Sequence, residues 1–518
     1  MTERYDVAIV GGGHNGLTAA AYLAQAGKRV IVLERLDHVG GAAVSATAFE
    51  GIDARLSRYS YLVSLLPKRV IRDLGLDISL IRRRYSSYTP VPGSATGLLV
   101  DNGDASATLA SFESIGARAD AAAWSRFYDG TAELARGLFP TVTEPLLTRS
   151  EAKRALGDDA VWNDFVERPV GEVIEREFSN DVVRGVVLTD ALIGTFAPNV
   201  DETLAANKCF VYHVIGNETG DWDVPVGGMG AVTGELYSSA RRAGAEILTG
   251  ANVTSVSPDG DVEYDRGGTT HRLGAGVILA NVAPAVLEAL LGEEGTTSPK
   301  PEGAQVKVNL LLSRLPRLRD ETVSPSAAFG GTFHINETWS QLQSAHDSAT
   351  AGHVPDPLPC EIYCHSLSDG SILSPELRHS GAHTITVFGL HVPDRLATPA
   401  NNDELRMSLR NAAVASLDSV LAEPIEDLLL TDASGVPTIE ARTTLDIENA
   451  LGMPGGNIFH GPLSWPFAED DAELDTAAQR WGVATRHLRI LLCGSGAQRG
   501  GAVSGIGGHN AAMAVLEG

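Results

Sequence analysis

Cysteine is scarce in this chain. Only Cys209, Cys360, Cys364 and Cys493 occur among 518 residues, and no two of them form a Cys-x-x-Cys pair. That excludes a dithiol redox centre and a disulfide-stapled secreted scaffold, and a reducing, cytoplasmic location is expected. Cys360, Cys364 and His365 lack a second ligand pair, so no metal is expected and the thiols read as buried in a strand. Basic residues are also short: 40 Lys plus Arg stand against 65 Asp plus Glu, a net charge of −25. A surface of that sign repels phosphate backbones and anionic lipid, which excludes nucleic acid partners and electrostatic membrane docking. No uncharged apolar run reaches the length of a membrane span. The apolar stretch near residue 7 follows mixed charges and reads as a strand of a fold, not as a signal peptide. At this length a single core does not suffice, and two or three domains are expected.

Glycine is plentiful, and its placement near the N-terminus carries the argument. Val7-Ala-Ile-Val10 reads as a buried parallel strand. It enters Gly11, Gly13 and Gly16, spaced G-x-G-x-x-G. Gly11 permits the tight turn, Gly13 lets the backbone approach a pyrophosphate, and Gly16 lets the following helix pack closely. That helix is expected over Leu17–Ala26, stopped by Gly27. Its N-terminus offers unpaired N–H groups to a phosphate. A second strand, Val30–Leu33, ends on Glu34, where a ribose-binding acid should fall.

After Glu34 come Arg35 and the Gly40-Gly41-Ala42 segment. This looks like the extended signature of the FAD-dependent amine oxidase and phytoene desaturase superfamily. It implies FAD rather than NAD, with a second close backbone approach at Gly40 and Gly41. Just beyond, Arg58, Tyr59, Ser60 and Tyr61 read either as cavity residues beside the cofactor or as an ordinary turn with packed tyrosines.

Further along, Tyr85–Pro92 reads as a loop or edge strand because its prolines cannot donate to a ladder. Residues 106 to 160 and 170 to 215 read as largely helical, with Ala191–Pro198 apolar enough to line a pocket. The glycine cluster Gly227-Gly-Met-Gly230 opens a helix over Glu235–Ala243. A hairpin follows, Val262–Tyr264 with His271–Leu273, and then a separate strand, Gly276–Asn281. Residues 300 to 440 suit an antiparallel sheet forming the floor of a substrate cavity. His334, His365, His383 and His391 lie there, each read as structural before catalytic. Arg489–Cys493 reads as a strand leading into a glycine loop and a helix, a second anion-facing site able to stabilise charge on a reduced flavin.

These segments, with Pro454-Gly-Gly-Asn-Ile-Phe-His460 and Leu492-Cys-Gly-Ser-Gly-Ala-Gln-Arg-Gly-Gly-Ala-Val-Ser-Gly505, resemble the phytoene desaturase-like flavoproteins. Among them, the chain resembles the family of pyridine nucleotide-disulphide oxidoreductase domain-containing protein 2. The resemblance implies an α/β fold: a Rossmann-type FAD-binding domain with a discontinuous α+β substrate domain. The expected pieces are 1–66, 221–300 and 446–518 for FAD binding, and 67–220 and 301–445 for substrate. Cofactor contacts are expected at Gly11, Gly13, His14, Asn15, Gly16, Glu34, Arg35, Gly40, Gly41 and Ala42, at the Val253 backbone, and at Gly494, Gly501, Val503 and Ser504. Relatives carry His-Pro-Gly-Gly-Gly in the last loop where this chain has Gln498-Arg-Gly-Gly-Ala502, so Arg499 would place a cation near the flavin.

The implied activity is hydride transfer from a small organic substrate to non-covalently bound FAD, desaturating a C–C bond. His460 and Tyr59 are the candidate proton acceptors, with His509 behind them. Amine oxidation to an imine, NAD(P)H-dependent reduction and a non-catalytic flavin-binding interaction protein are the alternatives. The electron acceptor, oxygen, quinone or another, stays open, and a homo-oligomer is possible.

Overall fold

A computed structural model describes residues 3–293 and 300–518. Two seven-stranded sheets organise it. The first grows from the fingerprint. Glu3–Val10 pairs in parallel with Val30–Leu33 on one side and with Thr269–Ala280 on the other. Beyond Val30–Leu33 lies Glu246–Leu248, also parallel. The four residues of Val30–Leu33 are all buried, as a strand covered on both faces requires.

Thr269–Ala280 is one strand of twelve residues, where the sequence pattern suggests a hairpin arm and a separate strand. Gly274 and Gly276 do not interrupt it. A Cβ at Gly276 would stand 2.9 Å from Asp6 O, so that glycine admits the neighbouring strand. On its outer edge the first half pairs antiparallel with Asp261–Arg266, and residues 278–280 pair in parallel with Ile490–Leu492.

The second sheet runs Ile439–Arg442, Val306–Leu312, His383–Gly389, Cys360–Tyr363, Thr332–Ile335, Tyr85–Pro90 and Gly97–Asp101. Tyr85–Pro90 is therefore not an edge. Its parallel partner bonds only at Ser87 and Tyr88, while Pro90 sits at the end of the strand opposite Gly97. A proline there removes no donor from the interior of the ladder.

Residues 105–214 form the helical block, led by Arg118–Leu138 and Ala205–Val214. Aromatic residues are few in the chain, yet Phe127, Trp162, Phe165, Phe178 and Phe210 converge in this core. Each such ring, fully buried, stabilises the block by roughly 1.5–3 kcal/mol. The helices His14–Gln25, Met229–Arg242 and Ile506–Glu517 pack on the first sheet. Among the described residues no helix is long and apolar enough to cross a membrane, and the four cysteines are buried free thiols.

Candidate active site

One cavity of about 440 Å³ reaches from the fingerprint to the second sheet. At its fingerprint end Gly11 and Gly16 stand where the backbone leaves no room for a Cβ. Gly11 has φ of +100°, and a Cβ there would stand 2.7 Å from Asn281 O. A Cβ at Gly16 would fall 2.3 Å from Gly11 O, so only glycine lets the helix start this close to the strand end. Gly40 N–H donates to Gly12 O (2.9 Å), bringing the second glycine pair onto the first loop. Glu34 caps the turn: Oε2 accepts from Gly12 N–H and Oε1 from Leu36 N–H, both at 2.7 Å.

The C-terminal loop is tied to the same helix. His14 Nε2 donates to Ala502 O (3.0 Å) and Asn15 Nδ2 to Gly500 O (3.3 Å). A Cβ at Gly508 would sit 1.9 Å from Asn15 O, so the last helix crosses the first at a glycine contact. Burial holds the His14 ring neutral, down at about 4.

Of the expected contacts, Gly11, Gly13, His14, Asn15, Glu34, Arg35, Gly41, Ala42, Val253 and Val503 line the cavity, as do Tyr59 and His460. The others support it from behind. Gly16 packs under the loop, and Gly40 carries the backbone link. A Cβ on Gly494 would stand 3.1 Å from Asn281 Oδ1, and Gly501 abuts the Tyr212 ring. Ser504 Oγ accepts from Ile506 N–H at the start of the last helix. Sequence reasoning misses Asn281. Its Nδ2 donates to Gly11 O (2.9 Å), and its position at a strand end facing the fingerprint is the available signal.

His460 has a left-handed backbone (φ +65°), and its Nδ1 has no hydrogen-bond partner among the described residues. Burial first, and then the nearby His14, lower it to about 4. Arg499 needs correction. It is 1% exposed and does not line the cavity. Its Nη1 donates to Thr141 O (3.0 Å) and Glu144 O (2.7 Å), and Nη2 to Trp481 O (3.1 Å). Three carbonyls hold the guanidinium away from the cofactor side, so it staples the last loop to the helical block.

The other end of the cavity is largely invisible in the sequence. Four neighbouring strands place Lys307, Phe388, Glu361 and His334 directly opposite one another, in one row across the second sheet. Cross-strand partners share a face, and all four line the cavity. The tilted Tyr61–Tyr363 pair, centroids 4.2 Å apart, adjoins the row. Lys307 Nζ lies 3.9 Å from the Tyr61 centroid with no hydrogen-bond partner among the described residues, and burial pushes its pKa well down. Tyr363 O–H donates to Glu361 Oε2 (3.0 Å). Burial, reinforced by Glu337, raises Glu361 to about 8. His334 Nδ1 and Glu337 Oε2 are 2.6 Å apart. From the helical block, Asp190 reaches the same end, raised to about 6 by burial. The available signal is a lone charge inside each apolar strand, Lys307 in Val306–Leu312 and Glu361 in Cys360–Tyr363. Of the other histidines considered, His365 approaches Pro225 O (3.2 Å), His383 contacts Ser366 Oγ (3.1 Å), and His391 packs against Phe196 and His346.

Comparison with known proteins agrees with this architecture. The model of an NAD(P)-binding Rossmann-like domain family matches residues 9–69. An uncharacterized protein of Mycobacterium tuberculosis is 55% identical over 99% of this chain and 97% of its own. Pyridine nucleotide-disulfide oxidoreductase domain-containing protein 2 of Rattus norvegicus is 28% identical over 100% of this chain and 94% of its own. Among solved structures, cyclohexylamine oxidase from Brevibacterium oxydans superposes with a TM-score of 0.56, covering 99% of both chains at 14% identity, a likeness of fold. The chain thus belongs to one family with the mycobacterial protein, is similar along its whole length to pyridine nucleotide-disulfide oxidoreductase domain-containing protein 2, and has the fold of the amine oxidase structures.

Proposed function

We propose that the protein is an FAD-dependent oxidoreductase that removes a hydride from a small organic substrate. The observation that carries this reading is the continuity of one cavity. It is lined at one end by Gly11, Gly13 and Glu34 and at the other by the Lys307–Phe388–Glu361–His334 row. The residues present suit the cofactor. Asn15 Oδ1 is buried without a partner, and the glycine cradle has no room for a Cβ at Gly11 or Gly16. Gly11–Gly16, Glu34 and Gly40–Ala42, with Val253 and the Ser495–Val503 loop, would hold the dinucleotide, which supplies hydride acceptance when bound.

The chain's own contribution is orientation, exclusion of water and a proton acceptor. Tyr61, Tyr363 and Phe388 offer flat apolar walls. A buried lysine that sheds its proton serves as a base, so Lys307 Nζ is the foremost acceptor. Tyr59 and His460 line the cavity as further candidates. The four free thiols accord with a reducing compartment. A nicotinamide dinucleotide is the second reading, because the matching family model is named for NAD(P).

The test is the visible spectrum of the anaerobically purified protein, followed by addition of NADH and NADPH in turn. A flavin band, released as FAD on denaturation and unaffected by either nucleotide, is expected. Bleaching by NADH or NADPH would favour the reductase. Absence of flavin after incubation with FAD would overturn the proposal.

A further inference from the structure

Lys307 is out of place in its strand. Val306–Leu312 is buried at all seven positions, yet it carries a lysine that is 2% exposed and whose Nζ has no hydrogen-bond partner among the described residues. The acids within reach are committed elsewhere. Glu440 accepts from Arg58 Nε (2.9 Å) and Asn309 Nδ2 (3.1 Å), and Glu361 accepts from Tyr363 O–H (3.0 Å). Across the ladder Lys307 stands directly opposite Arg442, and like charges so placed disfavour a second cation. The remaining neighbour is the Tyr61 ring, 3.9 Å from Nζ. Burial drives the amine towards its neutral form, so what it offers the cavity is a lone pair.

A neutral amine in a dry aromatic cavity is a nucleophile towards carbonyl carbon. Lys307, Phe388 and Glu361 occupy successive strands of one row, and all three line the cavity with Tyr61 and Tyr363. Phe388 between them gives an apolar floor. Glu361, raised to about 8 by burial, still carries its proton at neutral pH. An uncharged amine and an uncharged carboxylic acid on one face are the two parts that condensation with a carbonyl compound needs. The iminium so formed suits this place better than an ammonium does. Its charge is spread over carbon and nitrogen, which lowers the cost of keeping it from water, and the Tyr61 face attracts it.

We propose that Lys307 is a covalent anchor for a ketone or aldehyde with an apolar body, held as a Schiff base. Nζ bonds to the carbonyl carbon, the C=O π bond opens, and one amine proton passes to the oxygen. The C–O bond then breaks, and the leaving hydroxide takes the Glu361 proton and departs as water. An iminium and the Glu361 carboxylate remain, so charge and atoms balance and no electrons leave the system. Addition of water reverses the sequence and frees the carbonyl compound. This rests on the oxidoreductase reading for the same cavity and names its substrate class: C–H bonds beside an iminium are more acidic than beside a carbonyl, so the bond to Lys307 activates the carbon to be desaturated.

Reductive trapping on the full-length protein tests this, with 4-phenylbutan-2-one as the probe and sodium cyanoborohydride to fix any imine as a secondary amine. Peptide mass mapping separates the chain's six lysines. At neutral pH Lys307 should be alkylated at least about tenfold faster than Lys28, Lys68, Lys153, Lys208 or Lys300, because an exposed lysine is almost wholly protonated there. Raising the pH by about one unit from 6 should speed the exposed lysines about tenfold and Lys307 less than about twofold. Lys307→Met should lose that adduct alone, and Glu361→Gln should slow it about tenfold; an unchanged rate in Glu361→Gln would overturn Glu361 as the acid. No adduct at Lys307 in the wild-type protein, or one formed no faster than at exposed lysines, would overturn the anchor, and this map decides even where a variant does not fold. Trapping needs no flavin, so an adduct at Lys307 in a protein that takes up no FAD upholds the anchor while the cofactor reading fails.

Discussion

The two ends of the cavity are built on opposite terms. At the nucleotide end nearly every polar group is answered by backbone: Glu34 by Gly12 and Leu36, His14 by Ala502, Asn15 Nδ2 by Gly500. At the far end Asp190, Lys307 and one oxygen of Glu337 have no hydrogen-bond partner among the described residues. The first end keeps the Asn15 Oδ1 acceptor for a ligand and has no room for a Cβ at Gly11 or Gly16. The second keeps strained electrostatics in reserve, as groups kept for chemistry and recognition do.

Substitution should break the contrast most sharply at Gly16. Gly16→Ala places a methyl 2.3 Å from a carbonyl oxygen of the neighbouring turn. Stability should fall by more than about 3 kcal/mol and FAD should be lost, measured by denaturant unfolding and flavin content. The opposite behaviour is expected of Lys307→Met. Removing an unpartnered buried amine should leave stability unchanged or raise it by up to about 2 kcal/mol. Reduction of the flavin by a competent substrate should meanwhile slow by about 100-fold in stopped-flow traces.

The pH dependence should differ in sign between the ends. Glu361, raised to about 8, and Asp190, raised to about 6, hold protons in the folded chain that the unfolded chain has shed. Stability therefore falls as pH rises from the ordinary carboxylate range towards 8. His14 and His460, lowered to about 4, refuse protons that the unfolded chain accepts, so stability also falls as pH drops from 6.5 towards 4. Urea midpoints across this range should show both limbs. Glu361→Gln should flatten the alkaline one alone.

The same contrast explains what can be read from the residues in advance. Gly11, Gly13, Gly16, Glu34, Gly40 and Gly41 lie within about thirty positions, so spacing alone relates them. Lys307, His334, Glu361 and Phe388 meet only through strand order and register, and Asp190 through the docking of a helical block. No local pattern encodes those meetings. Arg499 misleads for a related reason: Ser495, Ala502 and Val503 of its loop line the cavity, while its left-handed backbone (φ +66°) accompanies a side chain committed to carbonyls of residues 141, 144 and 481. Proline makes Tyr85–Pro90 read as an edge, although the parallel partner never reaches that residue.

The strand Thr269–Ala280 also sets a timetable. It binds Glu3–Val10 on one side and Ile490–Leu492 on the other. The earliest and latest of these three strands are separated by 490 − 10 = 480 positions. At about 5–20 residues per second, a ribosome needs roughly half a minute to a minute and a half to cover that distance. Until then residues 278–280 present an open apolar edge, and the fingerprint helix waits for the glycine face of Ile506–Glu517. The nascent protein is thus an assembly in which an early-made part is completed by a late one, and its yield in a cell depends on what shields that edge in the interval.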